Sequence, residues 1–265
     1  MVEEASPDGV CPDCEGKGWV VVPDGRNGTA IPCDCRKRGR LDLLLANAGI
    51  PLRYQGCTFA KFQTGPRGHA LVQGKTLAQR YVDDFLTSDG HSRESGLLFI
   101  GPPGVGKTHL AVAVLGELIQ RYGVRGRFVD FTSLIAQIQS TFDPGSAESK
   151  HDVLDPVINA EVLVLDELGA QKPTAWVTDT LYLILNTRYT KRLPTIFTTN
   201  FRLDAPATAA RTLDRGADSA MVAPELLAAR IPPMLLSRLY EMAQPVPIEA
   251  EDFRRTVKMA QHRTA

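Results

Sequence analysis

The segment 101–108 reads GPPGVGKT, a match to GxxxxGK[ST] lying directly between the apolar run GLLFI at 96–100 and a stretch, 106–121, with apolar residues at helical spacing. That context is what the motif demands. A buried strand delivers a loop whose N–H groups point inward, a helix N-terminus follows, and a phosphate chain is held by main-chain donors. Gly101, Gly104 and Gly106 let the backbone curl inward. Lys107 reaches the terminal phosphates and Thr108 ligates magnesium; Pro102, Val105 and His109 complete the candidate nucleotide contacts. The competing reading is a Gly-Pro turn that happens to hold a lysine, and the agreement of strand, loop and helix argues against it.

Such a loop belongs to a sheet, and the chain supplies further strands. RFVDF at 127–131, EVLVLD at 161–166, PTIFTT at 194–199 and PVPI at 245–248 read as strands, with helical stretches between several of them and another helix expected over 70–88. The alternation predicts an α/β fold, a mostly parallel sheet with helices on both faces. LVLDEL carries Asp166 and Glu167 to the end of a buried strand, where Asp166 suits the magnesium shell and Glu167 the base that polarises water. FTTN ends the next strand in Asn200, a polar tip suited to orienting that water or sensing the third phosphate. Taken alone, a strand-end Asn is more often a turn former.

The chain has 265 residues, 43% of them apolar, which is enough for a core and for one domain plus something smaller. Lys plus Arg and Asp plus Glu both number 30. That balance argues against a protein that coats nucleic acid or an anionic membrane with a basic face, and leaves local contacts open. The start, MVEEASPDG, is acidic and polar where a secretory signal is basic and then apolar, and no apolar run reaches the roughly 18 residues of a membrane span. A cytoplasmic chain without a membrane partner is expected.

Residues 1–40 hold four of the five cysteines among Gly, Pro and charged residues, too poor in large apolar side chains to form a core unaided. CPDCEGKGW and IPCDC give CxxC, 18 intervening residues and CxC. The spacing predicts a zinc ion held by the thiolates of Cys11, Cys14, Cys33 and Cys35, with Gly16 and Gly18 allowing a tight knuckle whose N–H groups donate to sulfur. Redox cycling of the first pair is the alternative, and it leaves the second pair unexplained. Cys57 has no partner and reads as a small core side chain. LDLLLANAGI at 41–50 predicts a short helix, stopped by Gly49 and Pro51, that joins this segment to the rest. The basic run with Arg36, Lys37, Arg38 and Arg40 reads as a contact to DNA or protein, or as a solvated helix start.

Strand, GPPGVGKT, intervening strand, LVLDEL and FTTN resemble, in that order, the AAA+ ATPases. Within them GPPGVGKTHLAVAV, LVLDELGAQKP, TIFTTN and LLSRLYEM are similar to the DnaC and DnaI helicase loaders and the related IstB transposition helpers, from about residue 51 to 255. The resemblance implies ATP, Mg2+ and Zn2+ as cofactors, self-assembly on ATP binding, and a division into a zinc module with linker at 1–56 and an ATPase domain at 57–265. It places CTFAKF at 57–62 beside the adenine. It also makes Arg238 an arginine finger that reaches a neighbouring subunit's ATP; without it, Arg238 reads as a surface arginine paired with Glu241. Pro232, Pro233 and Met234 depart from the family, which often has a Gly and a second arginine there. Only 17 residues follow residue 248, so no C-terminal lid is expected.

The long stretch between the second strand and LVLDEL resembles the loaders' helical insertion. Phe142, Thr174 and Trp176 fall where related loaders contact single-stranded DNA, although the two aromatics read equally as packing residues. A zinc module engaging the replicative helicase is a loader feature, so the implied partners are a DnaB-like helicase and single-stranded DNA. The alternatives are an IstB-like helper of a transposase and a zinc-dependent nucleotide-binding scaffold. CxxCxGxG also occurs, repeated, in Hsp40-type chaperones, but here it appears once.

Overall fold

The computed structural model describes residues 11–24, 27–65, 68–143, 145, 147–203 and 226–255. The acidic start and the last ten residues, 256–265, lie outside them. The core is a five-stranded sheet of β3 (Gly96–Ile100), β4 (Gly126–Asp130), β5 (Val162–Asp166), β6 (Thr195–Thr199) and β7 (Ala243–Pro247). Its order is β4-β5-β6-β3-β7, and every pairing is parallel. β6 therefore separates β3, which feeds the GPPGVGKT loop, from β5, which ends in Asp166.

The sequence explains these positions. All five residues of β5 and of β6 are buried, as expected of central parallel strands covered on both faces. β7 reads AQPVP, and Pro245 and Pro247 are tolerated because it is an edge strand that pairs only with β3. Side chains alternate across the sheet. Leu97, Phe99, Val162, Val164 and Ile196 join α2 (His69–Asp83) and α3 (Lys107–Tyr122) in one cluster. Leu98, Leu163, Leu165 and Phe197 join α4 (Phe131–Ser140), α5 (Lys150–Ile158), α6 (Ala175–Thr190) and α7 (Pro233–Met242) in the other. The expected α/β architecture with helices on both faces is present.

Several boundaries differ from the sequence reading, for local reasons. β4 ends at Asp130, not at Phe131, because the Asp130 carboxylate accepts from the Ser133 N–H at 2.7 Å and caps α4. α2 ends at Asp83, and Leu86 then bridges to Ser92 in a tight return. α1 (Asp34–Asn47) starts seven residues before the expected helix, directly after Cys33, which puts the basic run 36–40 inside it. An antiparallel hairpin, β1 (Trp19–Asp24) and β2 (Asn27–Pro32), fills the interval between the cysteine pairs. The C-terminal end of α1 docks on the core: Ala48 is buried and its carbonyl accepts from the Phe128 N–H at 2.6 Å.

One buried charge braces the far end of the sheet. Arg188 of α6 is fully enclosed and donates to Thr195 Oγ1 and to the carbonyls of Val157, Ala160 and Pro194 at 2.8–3.1 Å. It ties the end of α5 and the start of β6 to α6. No helix among the described residues is long and apolar enough to cross a membrane.

Candidate nucleotide and zinc sites

The loop after β3 ends at Gly106, which stands at the N-cap of α3 with φ 95°, a left-handed conformation that favours glycine. A Cβ there would also lie 2.6 Å from the Phe62 ring. Lys107 is 7% exposed, and its ammonium donates to the carbonyls of Gly101 and Pro102 (2.8 Å each) and to Asn200 Oδ1 (2.7 Å). Burial lowers its pKa to about 8, against which Asp166 and Glu167 act. A cation held this way, facing loop carbonyls and an amide oxygen, is satisfied better by the charge of a phosphate.

Thr108 Oγ1 donates to both oxygens of Asp166, at 3.0 and 3.2 Å. Burial raises the Asp166 carboxyl, while hydrogen bonds from Thr198 and Thr108 hold it down. A hydroxyl and a buried carboxylate in contact, with the charged form disfavoured until a cation arrives, form a donor set that fits magnesium. Glu167 follows with φ 59°, a strained setting for a non-glycine residue, and its N–H donates to Thr198 Oγ1 at 3.0 Å. Its carboxyl is raised first by burial and then by Asp130 and Asp166. Lys107 is thus hydrogen-bonded to Asn200 and Thr108 to Asp166, and Glu167 is held beside Asp166 by the same Thr198 that bonds that carboxylate.

Sequence reasoning missed Thr198. The signal was present, since FTTN places two threonines before Asn200, but only the register of β6 beside β5 shows which of them faces the carboxylates. Beside the loop, a cleft of about 780 Å³ is lined in part by Phe62, Thr64, Leu71, Val105, His109 and Phe253. His109 makes an edge contact with Phe62 and bonds the Thr58 carbonyl at 2.8 Å, so CTFAKF does flank this cleft.

The four cysteine sulfurs lie within 4.8 Å of one another, with Cys11–Cys33 at 3.7 Å and Cys14–Cys35 at 3.4 Å. Sulfurs around a tetrahedral zinc at about 2.3 Å stand about 3.8 Å apart, so the set fits the ion. The Gly18 N–H donates to Cys14 Sγ at 3.2 Å. Crowding by the Cys14 and Cys33 sulfurs pushes the Cys35 thiol up to about 12, so holding all four as thiolates calls for a divalent cation. Cys57 is partly buried against the core, away from this cluster.

Arg238, on α7, does not pair with Glu241, which accepts from Tyr189 Oη at 3.0 Å. Its guanidinium lies 5.1 and 5.7 Å from the ring centroids of Tyr182 and Tyr189, and its Nη1 is buried without a hydrogen-bond partner. Phe142 and Trp176 meet edge to face with centroids 5.9 Å apart, and Phe142 is 59% exposed. Thr174 uses its hydroxyl to cap α6 by accepting from the Val177 N–H.

A parallel sheet in this order, with the phosphate loop and the acidic pair on strands separated by a third, defines a AAA+ nucleotide-binding core. The chain belongs to the family described as IstB-like ATP binding protein, whose model matches residues 69–260. It is 29% identical over 249 residues to the replicative helicase loader DnaI of Bacillus subtilis (strain 168), a match covering 91% of this chain and 74% of that protein. It is also 29% identical over 157 residues to the replicative helicase loader DnaC of Escherichia coli (strain K12), covering 59% of this chain. The chain spans only about three-fifths, 60%, of that relative's length. A crystal structure of the DnaC helicase loader superposes with a TM-score of 0.59 at 29% identity, covering 75% of this chain and 99% of that one.

Proposed function

We propose that this protein is an ATP-dependent loader of the replicative DNA helicase onto single-stranded DNA. One observation carries the reading: a four-cysteine cluster and a AAA+ site occur in one chain, and a match covering 91% of it to a helicase loader takes in part of the cysteine segment as well as the ATPase. On this reading residues 1–56 are a zinc module with linker that engages a DnaB-like helicase, and residues 57–265 are the ATPase.

The roles follow from the chemistry of the site. Lys107 and the loop N–H groups bind the phosphates. Thr108 and Asp166 hold Mg2+, which neutralises charge on the phosphate oxygens when bound. Glu167 takes the proton of the attacking water, and its carboxyl, raised by burial and then by Asp130 and Asp166, is moved in the direction that makes it a stronger base. Asn200 orients that water from its bond to Lys107. Arg238, stacked on two tyrosines with an unsatisfied nitrogen, is the finger supplied to a neighbouring subunit once ATP has assembled them. Phe142, Thr174 and Trp176 contact single-stranded DNA, the aromatics by stacking, which needs little sequence selectivity.

The test is a pull-down against the host's replicative helicase with the full chain and with residues 1–56 deleted. Binding by the full chain and loss on deletion supports the reading. Failure of the full chain to bind refutes it. The family's IstB-like name favours a second reading, an ATPase that serves a transposase, and capture of a transposase in place of the helicase would establish that instead. Glu167→Gln is expected to bind ATP and hydrolyse it about a hundredfold more slowly.

A further inference from the structure

Leu235, Leu239 and Met242 of α7 are buried in one cluster with Ile184 and Leu185 of α6. That packing leaves Arg238 half-buried and Glu241 exposed. Three residues apart on one helix, an arginine and a glutamate stand within pairing distance. These two do not pair. Tyr189, near the end of α6, donates its hydroxyl to both oxygens of Glu241 at 3.0 Å and holds the carboxylate on the α6 side. The hydrogen bond to Glu241, and then the charge of that carboxylate, raise the Tyr189 phenol, so it stays protonated and remains a donor.

With Glu241 held there, the Arg238 guanidinium is left to two rings. Its centre lies 5.1 Å from the centroid of Tyr182 and 5.7 Å from that of Tyr189. Nη1 is buried without a hydrogen-bond partner, and among the described residues Arg238 makes no ion pair. The two ways of holding an arginine differ in what they leave over. A carboxylate takes up N–H donors and cancels the charge, whereas an aromatic face attracts the cation through its quadrupole and leaves the donors in the guanidinium plane free. A group that has to offer charge and hydrogen bonds to a phosphoryl group on another subunit is better held in the second way. Tyr189 serves both needs, since its ring supports the cation and its hydroxyl engages the acid that would otherwise neutralise it.

We propose that Tyr189 is a positioning residue for Arg238: its hydroxyl diverts Glu241, so that the guanidinium stays unpaired on the tyrosine rings until it meets the ATP of a neighbouring subunit. This rests on the reading of Arg238 as the finger given above and names what keeps that finger available.

The test is a double-mutant cycle on the full chain, read as ATP turnover by phosphate release over a series of protein concentrations. Tyr189→Phe keeps the ring and frees Glu241 to pair with Arg238. Because an exposed ion pair is weak, turnover is expected to fall about threefold and not to vanish. Glu241→Gln alone should change turnover by less than about twofold, and Glu241→Gln added to Tyr189→Phe should bring it back close to wild type. ATP affinity, titrated with a fluorescent analogue, should match across the set, because Arg238 serves the neighbour's site. A purely structural role for the Tyr189–Glu241 bond gives another pattern: Glu241→Gln impairs turnover as much as Tyr189→Phe does, and the double variant shows no recovery. That pattern, or unchanged turnover in Tyr189→Phe, overturns the proposal. Arg238→Ala separates this from the finger reading, with an expected loss of at least about a hundredfold. Normal turnover in Arg238→Ala would remove the finger and the role of Tyr189 together, whereas its loss beside a normal Tyr189→Phe would remove the role of Tyr189 alone.

Discussion

Thr198 offers a sharp perturbation of the site, because one buried hydroxyl serves both acidic residues. Its Oγ1 donates to Asp166 Oδ1 and accepts from the Glu167 N–H at 3.0 Å, and the residue is 1% exposed. Thr198→Val keeps the shape and removes both bonds. A hydrogen bond to a carboxylate contributes about 1.5–3 kcal/mol, and stranding a buried N–H costs about 1–3 kcal/mol, so a destabilisation of about 3 kcal/mol is expected in urea. Glu167 would also lose an anchor that holds it at φ 59°. ATP turnover, measured by phosphate release, is expected to fall about 10- to 100-fold as the two carboxylates lose their fixed direction.

The pH dependence of the same variant carries a sign. Burial raises Asp166, and the Thr198 bond holds it down, so the valine variant moves the carboxyl further up and loses activity at a higher pH on acidification. Thr198→Ser is the control. It keeps the hydroxyl and loses one methyl, at about 0.8 kcal/mol of stability, with turnover close to wild type. The reasoning is refuted if the valine variant turns over normally, or if serine impairs turnover as much as valine does.

Three further outcomes can be checked. Cys14→Ser is expected to lower bound zinc, measured by metal analysis, from one equivalent to a small fraction of one, while ATP binding persists because the ATP site is built on the sheet. Arg188→Met strands the carbonyls of Val157, Ile158, Ala160 and Pro194 and the Thr195 hydroxyl and should lower stability by about 3 kcal/mol in urea titration, with the phosphate site intact in whatever fraction remains folded. Lys107 sits at about 8 in the fold against an ordinary 10.5. Below about 8 it is charged in both states and the folded state bears the burial cost; as pH rises toward 10.5 the fold sheds the proton first, so apo stability should climb. Lys107→Met removes that climb, so its stability advantage over wild type at pH 7.5 should shrink by pH 9.5.

Much of the site was legible because each part announces itself locally. GPPGVGKT, LVLDEL and FTTN lie at the ends of apolar runs, and parallel strands place those ends on one edge of the sheet. The cysteine spacing was sufficient for the cluster. What sequence could not give was contact across elements. Thr198 differs from Thr199 only by which way it faces: Thr198 bonds Asp166, whereas Thr199 bonds the Leu168 carbonyl. Arg188 looks like an ordinary helix arginine until its five-residue neighbourhood of carbonyls and Thr195 closes around it. The β1–β2 hairpin was missed because its strands carry exposed Trp19, Val21, Val22 and Ile31, so no buried face marks them by alternation. Residues 248–255 have no regular pattern, and only the bonds of Ile248 to Ile100 and of Phe253 to Gly104 bring them to the phosphate loop.

The most direct measurement of the proposed activity is deposition of the host's replicative helicase on closed circular single-stranded DNA, scored by gel filtration of DNA-bound helicase with and without this protein and ATP. Expected is helicase on the DNA only when both are present, with deposition lost in Lys107→Ala, which cannot hold the nucleotide. Equal helicase on the DNA with and without the protein would contradict the loader reading.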